Sequence, residues 1–341
     1  MKKQARIVCA AVTCVLLLIG VITFVQVKTA TGGSDFQLRM GHGQAGDSEI
    51  GGTIAYISDL VEEADVGMAV SVYPSSLLGS ETAMIELVQA GILDMTKVSA
   101  NTLGQFDDRY AIFSLPYLFV GQEHYYEAMA ESKQIRELFN ATADNGFIAI
   151  GYYANGSRNF YLKEDVAVTD PSVLNGKRIR SMVSSTSMDM IRAMGGTPVS
   201  MSAGETYTAL QMSSVDGAEN TELALTVDKH EELVSSYTYT EHQYTPDIYI
   251  ISTQTWERMT EEQQNALLEC FVKLNENFVS QYNRMMEEAI EEAQTYGVTI
   301  YRDIDKTAFI EAVQPIHEEF TSRGTQYRAL YDDIQSYAEE G

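Results

Sequence analysis

Cysteine is scarce in this sequence, and the few cysteines sit where they cannot stabilise a fold. The chain has 341 residues and 3 cysteines, of which Cys9 and Cys14 lie in an N-terminal apolar segment. Only Cys270 remains in the rest of the chain, so no intrachain disulfide can form there, and neither a cysteine-based zinc site nor a CxxC redox motif has support. The fold must therefore depend on its core, and a 45% hydrophobic content provides one.

Positive charge is the second deficit. The chain has 23 Lys+Arg against 48 Asp+Glu, a formal net charge of −25. Such a surface repels nucleic acid and anionic lipid headgroups, so neither is predicted as a partner. A buried arginine can still bind an anion, because exposed charges are screened over about 8–10 Å.

Signatures of catalysis are also missing. The sequence has no GxSxG, HExxH, P-loop or GxGxxG motif, and its five histidines are not at metal-ligand spacing. The pair Asp107-Asp108 is followed by Arg109 in a polar stretch, which indicates a solvated face rather than a hydrolytic site. We therefore predict no enzyme activity, no metal site and no cofactor.

The N-terminus has the pattern of an export signal. Three basic residues within the first six precede an apolar run, Ile7–Val25, and a polar stretch follows up to residue 34. The run is long for a cleaved signal and just long enough to span a bilayer. Residues 1–34 are predicted to be either a signal peptide, cleaved after Ala30 or Gly32, or a retained membrane anchor. In both cases the remaining chain is expected outside the cytoplasm.

The rest of the chain alternates short apolar strands with amphipathic helices, which predicts an α/β fold with parallel strands. The predicted strands are Phe36–His42, Gly67–Tyr73, Ile92–Val98, Phe147–Tyr153, residues 177–182, Tyr237–Tyr239 and Asp247–Ser252. The predicted helices include Glu49–Ala64, Glu81–Ala90, Glu123–Phe139 and Ser187–Met194.

One predicted helix is much longer than the others. Thr260 and Gln263 form a capping-box pattern, Gly297 provides the stop signal, and no glycine or proline lies between Thr260 and Gly297. At 1.5 Å per residue the helix is on the order of 50 Å long. The alternatives are a coiled-coil arm and a spine that lies across two lobes, and the absence of regular heptads favours the spine.

Several short motifs follow one another in a fixed order along the chain. They are Tyr73-Pro-Ser-Ser-Leu-Leu-Gly79, Leu115-Pro-Tyr-Leu-Phe119, Asn155-Gly-Ser-Arg158-Asn159-Phe160, Leu174-Asn-Gly-Lys-Arg-Ile-Arg180, Gly195-Gly-Thr-Pro198, Glu205-Thr-Tyr-Thr-Ala-Leu-Gln211 and Val215-Asp-Gly-Ala-Glu-Asn220. Their order and spacing resemble the DctP family of TRAP transporter solute-binding proteins, from about Phe36 to the C-terminus. The resemblance implies a two-lobed, type II-like clamp of the periplasmic-binding-protein class, with the long helix spanning both lobes.

The resemblance also implies ligand contacts in the second lobe. Arg180 lies at the end of an apolar strand and matches the arginine that binds the ligand carboxylate, and Met182 lies beside it. A guanidinium can pair a carboxylate with two parallel hydrogen bonds. Arg158 matches a second arginine, and the alternative for it is a salt bridge between the lobes. Asn220 is expected to contact the ligand, to cap a helix at residues 221–227, or to do both. His242 is a further candidate, with a structural role as its alternative.

Polar residues at predicted strand ends supply the candidates of the first lobe. His42 ends the first strand, and Ser99 and Asn101 follow the third, so these side chains would face a crevice between the lobes. Glu81 and Asn155 are weaker candidates of the same kind. Hydroxyl groups of a ligand are what such polar side chains would recognise.

These inferences converge on one functional prediction. The protein is expected to bind a small organic acid by hinge closure and to deliver it to the small and large membrane subunits of a TRAP transporter. Glu241-His242, Trp256 and Arg158-Asn-Phe-Tyr161 resemble the subgroup that binds uronates, although Thr221 stands where that subgroup usually has a second asparagine. Dicarboxylate binding and a membrane-anchored sensor are the alternatives. We predict a monomer whose lobes comprise residues 35–155 plus 246–285 and residues 156–245 plus 286–341.

Overall fold

The strands of the protein form two separate sheets. The structure is a computed structural model and describes residues 36–339. The strands are β1 (Phe36–Gly41), β2 (Met68–Tyr73), β3 (Met95–Ser99), β4 (Phe147–Tyr153), β5 (Ser157–Leu162), β6 (Arg178–Ser181), β7 (Thr197–Ser200), β8 (Gly217–Asn220), β9 (Ser236–Tyr244), β10 (Asp247–Ser252) and β11 (Thr299–Tyr301).

Each sheet mixes parallel and antiparallel pairs. The five-stranded sheet of lobe I has the order β2-β1-β3-β10-β4, in which β1 is parallel to β2 and β3, and β10 is antiparallel to its two neighbours. The six-stranded sheet of lobe II has the order β11-β9-β5-β8-β6-β7, with β6 parallel to β7 and β8. The predicted α/β fold with parallel strands is confirmed.

Helices cover both sheets. They are α1 (Glu49–Ala55), α2 (Ile57–Glu63), α3 (Glu81–Gln89), α4 (Ala100–Leu103), α5 (Gln122–Glu131), α6 (Lys133–Asn140), α7 (Ser185–Ala193), α8 (Thr206–Gln211), α9 (Leu223–Val227), α10 (Thr253–Trp256), α11 (Glu261–Thr295), α12 (Thr307–Ser322) and α13 (Thr325–Ser336). Short 3-10 turns, of which Asp108–Ser114 is the longest described, connect some of them.

Two of the predicted helices are divided in the structure. The predicted helix Glu123–Phe139 is interrupted at Ser132, whose hydroxyl accepts a hydrogen bond from Ile135 N (3.0 Å) and donates one to Asp333 Oδ2 (2.6 Å). Ser132 therefore caps a new helix, because a serine side chain can replace the missing helical acceptors. The predicted helix Glu49–Ala64 is likewise divided, at Tyr56.

The long helix α11 is the structural link between the lobes, as predicted. Its capping box is formed, with Thr260 N donating to Gln263 Oε1 (3.1 Å) and Gln263 N to Thr260 Oγ1 (3.2 Å). Its first turns pack into the core of lobe I through residues such as Phe271 and Phe278, and its last turns contribute Ile290 and Ala293 to a core of lobe II. A spine of this kind excludes the coiled-coil arm.

The chain passes between the sheets after β4 and after β9. At the first crossing Gly156 N donates to the Tyr282 hydroxyl of α11 (2.8 Å), and a Cβ at this position would lie 2.2 Å from that oxygen. Glycine is required here because the backbone approaches the spine so closely. Asn155 Nδ2 donates to Thr245 O in the second crossing (3.4 Å), so the two connections are tied together.

The C-terminal helices return toward lobe I. Phe309 and Val313 of α12 pack in lobe II, whereas Leu330 and Ile334 of α13 belong to the core that also contains Ile135 of lobe I. The predicted assignment of residues 286–341 to lobe II therefore differs from this packing, because an amphipathic helix pattern does not indicate which sheet the helix covers. The other lobe limits remain a prediction.

Candidate functional site

Arg180 is a buried cation without an anionic partner. It lies near the carboxyl end of β6, between β7 and β8, and its exposed fraction is 4%. Nη2 donates to Met201 O (3.0 Å), Nε has no hydrogen-bond acceptor, and none of the ion pairs within residues 36–339 includes this residue. Burial lowers the pKa of Arg180. A guanidinium that is buried away from water attracts a carboxylate strongly, because an unpaired buried charge is costly.

Arg158 has similar burial but a full set of partners. Its Nε donates to Glu219 Oε2 (2.6 Å), Nη1 to Asn220 Oδ1 (2.7 Å) and Nη2 to Glu219 O (2.7 Å). Although burial opposes ionisation, the guanidinium lowers the pKa of Glu219 to about 2. The expected alternative of a salt bridge between the lobes is wrong in one respect, since β5 and β8 are neighbours in the same sheet.

Asn220 ends β8 and connects this ion pair to the crevice. Its Oδ1 accepts hydrogen bonds from Arg158 and from Thr221 N (3.0 Å), and its side chain is half-buried. The predicted helix-capping role is wrong, because α9 begins at Leu223 and Glu222 occupies its N-cap position. The amide NH2 group of Asn220 faces no acceptor among the described residues and is the part that a ligand oxygen can use.

His242 lies behind the ion pair rather than in front of it. The ring stacks on Phe160 with centroids 4.5 Å apart, Nδ1 contacts Thr240 Oγ1 (2.8 Å), and Nε2 is 3.5 Å from Glu219 Oε2. The side chain is fully buried, and burial lowers its pKa. These contacts are those of a structural histidine that supports Glu219, the alternative given for it above.

On lobe I, His42 is the counterpart of Arg180. It follows β1 and is fully buried, and neither ring nitrogen has a hydrogen-bond partner among residues 36–339. Burial, together with the nearby Lys97 ammonium, lowers the pKa of His42 to about 4, so the ring is neutral at physiological pH. A neutral imidazole offers one donor and one acceptor, which suits a hydroxyl group.

Lys97 and Asp247 form a buried ion pair beside His42. Lys97 lies on β3 opposite β10, with an exposed fraction of 1%, and its ammonium is 5.1 Å from the Tyr153 ring centroid. The Asp247 carboxylate also raises the pKa of Arg158 on the other lobe. Because each charge neutralises the other, this side offers no free cation.

Glu81, Ser99 and Asn101 complete the lobe I side. Glu81 Oε1 accepts from Ser99 N (3.2 Å), and Oε2 accepts from Thr102 Oγ1 (2.6 Å). Burial and the neighbouring Asp247 raise the pKa of Glu81. Ser99 caps α4 through Asn101 N (3.3 Å).

The two lobes touch directly at the edge of the crevice. Asn101 Nδ2 donates to Met182 Sδ (2.8 Å), and Gln105 Nε2 donates to Val183 O (3.3 Å). Both contacts join the segment after β3 to the segment after β6. The predicted contact residues Asn101 and Met182 are thus brought together, while Asn155 lies at the hinge.

Comparison with known proteins agrees with this arrangement of two sheets. Residues 40–323 match the family described as bacterial extracellular solute-binding protein, family 7 (DctP). The chain belongs to the DctP family.

Other DctP proteins with solved structures are similar over nearly the whole chain. A TRAP periplasmic solute-binding protein from Anaerococcus prevotii with bound glucuronate is 34% identical, with a TM-score of 0.85, over 90% of this chain and 99% of that one. One from Xanthobacter autotrophicus with bound galacturonate is 26% identical, with a TM-score of 0.82, over 88% and 99%. The uncharacterized protein YiiZ of Salmonella typhimurium is 38% identical over 82% of this chain and 86% of its own. The predicted fold class and the TRAP-type solute-binding function are confirmed.

Three charged residues at the crevice of this DctP protein escaped the sequence analysis. Glu219 lies 61 residues along the chain from its partner Arg158. Lys97 and Asp247, which pair with each other, lie 150 residues apart. The sequence did contain a signal for Lys97, because this lysine lies in the middle of the buried strand MTKVS. Lysine is rarely buried without a partner, so an acidic partner could have been expected. Its partner could not be read from the sequence.

Neither a metal site nor a membrane span occurs in the part of this DctP protein that the structure describes. Between residues 36 and 339, no group of three or more His, Cys, Asp or Glu side chains has the geometry to hold a metal ion. In the same range no helix is long and apolar enough to cross a bilayer. The predicted export signal, residues 1–34, lies outside the described residues.

Proposed function

We propose that this protein binds a uronate, such as glucuronate or galacturonate, between its two lobes and delivers it to the membrane subunits of a TRAP transporter. The observation that carries the proposal is Arg180, a buried guanidinium whose Nε has no acceptor and which has no carboxylate partner. The ligand carboxylate completes the site by accepting two parallel hydrogen bonds. The relatives with bound glucuronate and galacturonate support the same ligand class.

The opposite side of the crevice favours the hydroxyl groups of a sugar. His42 is neutral, Lys97 is neutralised by Asp247, and Glu81 adds a carboxyl group. A second carboxylate on the ligand would meet these acidic groups without a free cation to bind it. A hydroxylated monocarboxylate therefore fits better than a dicarboxylate, which is the second candidate.

Binding and closure are expected to be one process. Arg180 and Asn220 belong to lobe II, whereas His42 and Asn101 belong to lobe I, so a ligand that contacts both groups stabilises the closed arrangement. The hinge lies at Gly156, against the spine helix α11. A membrane-anchored sensor would use the same clamp, and the two roles differ only in the partner.

Titration calorimetry and thermal-shift measurements test the ligand class. Glucuronate and galacturonate should bind and raise the melting temperature by mass action, and succinate should not. Arg180→Ala should weaken uronate binding by about thirtyfold or more, since loss of one partner of a buried charge pair costs about 2–5 kcal/mol. The control Arg192→Ala removes an exposed arginine of α7 that pairs with Asp189. Equal affinity of the two variants would refute the clamp.

The cellular setting of the clamp follows from its family. We infer export by the segment 1–34 and function as a monomer in the extracytoplasmic space, with the small and large TRAP subunits as partners. Mass spectrometry of the protein purified from its host distinguishes a cleaved signal from a retained anchor. Light scattering of the purified chain checks the monomer, and co-purification with the membrane subunits separates transport from sensing.

A further inference from the structure

A second cavity lies at the hinge, separate from the ligand crevice. It has a volume of about 530 Å3. Its lining includes the crossing residues Gly156 and Ser157, the strand β9, the second half of the spine helix α11, and Gln122 at the start of α5. Groups from both lobes thus border it. The volume lies within the range of small-molecule sites.

The charges around this hinge cavity are unbalanced. Glu222, Glu287 and Glu291 line it, and none of them takes part in an ion pair within residues 36–339. A fourth acid, Glu241, is paired with Lys306. Arg302 is the one basic residue of the described lining. Three carboxylates therefore share a single nearby cation.

Glu222 distinguishes the hinge cavity from an ordinary acidic surface, because its carboxylate is buried. Glu222 lines the cavity, its exposed fraction is 2%, and its Oε2 has no hydrogen-bond partner among residues 36–339. Burial raises the pKa of Glu222 to about 7. A buried carboxylate with an unpaired oxygen is costly unless a donor reaches it, and a cationic donor from the cavity would do so.

The rest of the lining restricts what kind of cation fits. The carboxylates do not converge as metal ligands in the described chain, which argues against a single ion. Met286 and Ile290 of α11 supply an apolar strip, and Tyr239 and Tyr244 supply aromatic rings. Methylene groups can pack on such a strip while separated ammonium groups meet separate carboxylates.

We propose that the hinge cavity binds an aliphatic diamine or polyamine, with one ammonium group on Glu222 and another near Glu287 and Glu291. Arg302 competes with this ligand. Its guanidinium lies 4.2 Å from the Tyr239 ring centroid and stabilises the ionised form of Glu222. Removal of Arg302 should therefore tighten diamine binding, because it takes away the cation that competes for Glu222.

Titration calorimetry at pH 8 with 1,4-diaminobutane and spermidine tests the proposal. Saturable binding at one site is expected, and 1,4-butanediol at the same concentration should not bind. Glu222→Gln should weaken diamine binding at least tenfold, and Arg302→Gln should strengthen it several-fold. The matched control Glu269→Gln removes an exposed acid from the first half of α11 and should change nothing. Equal effects of the two glutamate variants, or the absence of saturable binding, would overturn the proposal.

Two further measurements separate this site from the uronate site. Arg180→Ala should lose uronate binding and keep diamine binding, so failure of one proposal does not decide the other. Glu222→Gln should keep uronate binding and a cooperative thermal transition, which shows that the variant folds. If saturating glucuronate prevented diamine binding, the diamine would be occupying the main crevice and the hinge site would be rejected.

Discussion

The two sides of the crevice bury similar numbers of charged groups but balance them differently. On lobe I, Lys97 is paired with Asp247, and His42 is neutral. On lobe II, Arg158 is paired with Glu219, yet Arg180 remains without an anion. Because unpaired buried charge is costly, the side with the unpaired charge is the side prepared for the charge of the ligand.

The comparison also separates the two arginines of lobe II. Both are more than nine-tenths buried, and both were candidates for contact with the ligand. The donor groups of Arg158 form hydrogen bonds with Glu219 and Asn220, so Arg158 fixes the position of Asn220. Arg180 keeps a donor free. The number of unused donors, rather than burial, distinguishes the ligand-binding arginine from the supporting one.

The largest effect is expected from Arg158→Ala. This change leaves Glu219 buried without its cation, which should reduce the free energy of unfolding by about 3–5 kcal/mol. The matched control Arg178→Ala breaks an exposed pair with Asp216 on a neighbouring segment and should cost less than about 1 kcal/mol. Denaturant titration at pH 7 measures both. A loss for Arg158→Ala no larger than the control would mean that the pair contributes nothing to stability.

The same ion pair predicts a pH dependence. The pKa of Glu219 is about 2 in the folded protein, below its ordinary value of 4.5. Stabilisation by this carboxylate is therefore complete above pH 4.5 and disappears as the pH falls toward 2. Glu219→Gln should make acid unfolding shallower over that interval.

Arg180→Met should have the opposite effect on stability. It removes an unpaired buried charge, so the free energy of unfolding of the ligand-free protein should rise by about 1–3 kcal/mol. The melting temperature should rise with it. Uronate affinity should fall by about thirtyfold or more. Calorimetric melting and titration measure the two effects on one sample. A large loss of stability would assign Arg180 a structural role like that of Arg158.

Sequence reasoning succeeded where the signals are local. The ends of α11 follow from a capping box and a glycine, and β10 spans Asp247–Ser252 as predicted, because turn and cap residues act on their immediate neighbours. Arg180 was found because it lies at the end of a predicted strand within a family motif. The buried unpaired state that marks it as a binding residue is visible only in three dimensions.

Sequence reasoning failed where the partner is distant. Glu219 meets Arg158 because β5 and β8 pair in one register, and Lys97 meets Asp247 because β3 and β10 do. Strand order of this kind depends on the whole fold and leaves no local pattern. The break at Ser132 has the same origin, since its partner Asp333 is 201 residues away.

A dicarboxylate version of the ligand sharpens the contrast between the two sides. Glucarate carries a second carboxylate where glucuronate has a sugar carbon bearing hydroxyl or aldehyde oxygen. That group would face Glu81 and Asp247 without a free cation, so glucarate should bind at least about tenfold more weakly, a difference of about 1.4 kcal/mol. Titration at pH 8 compares the two ligands. Equal affinity would show that Lys97 is available to the ligand, against its pairing with Asp247.

The smallest effect is expected from His42→Ala. Its neutral ring can exchange one hydrogen bond with a ligand hydroxyl, so uronate affinity should fall by about 1 kcal/mol, roughly fivefold. A short carboxylate that reaches Arg180 but lacks distal hydroxyl groups should bind both proteins equally. Because the pKa of His42 is about 4, the ring stays neutral from pH 6 to 8, and its contribution to uronate affinity should not vary over that range. A steep pH dependence that disappears in His42→Ala would instead show a charged imidazolium binding the ligand, and both sides of the crevice would then attract anions.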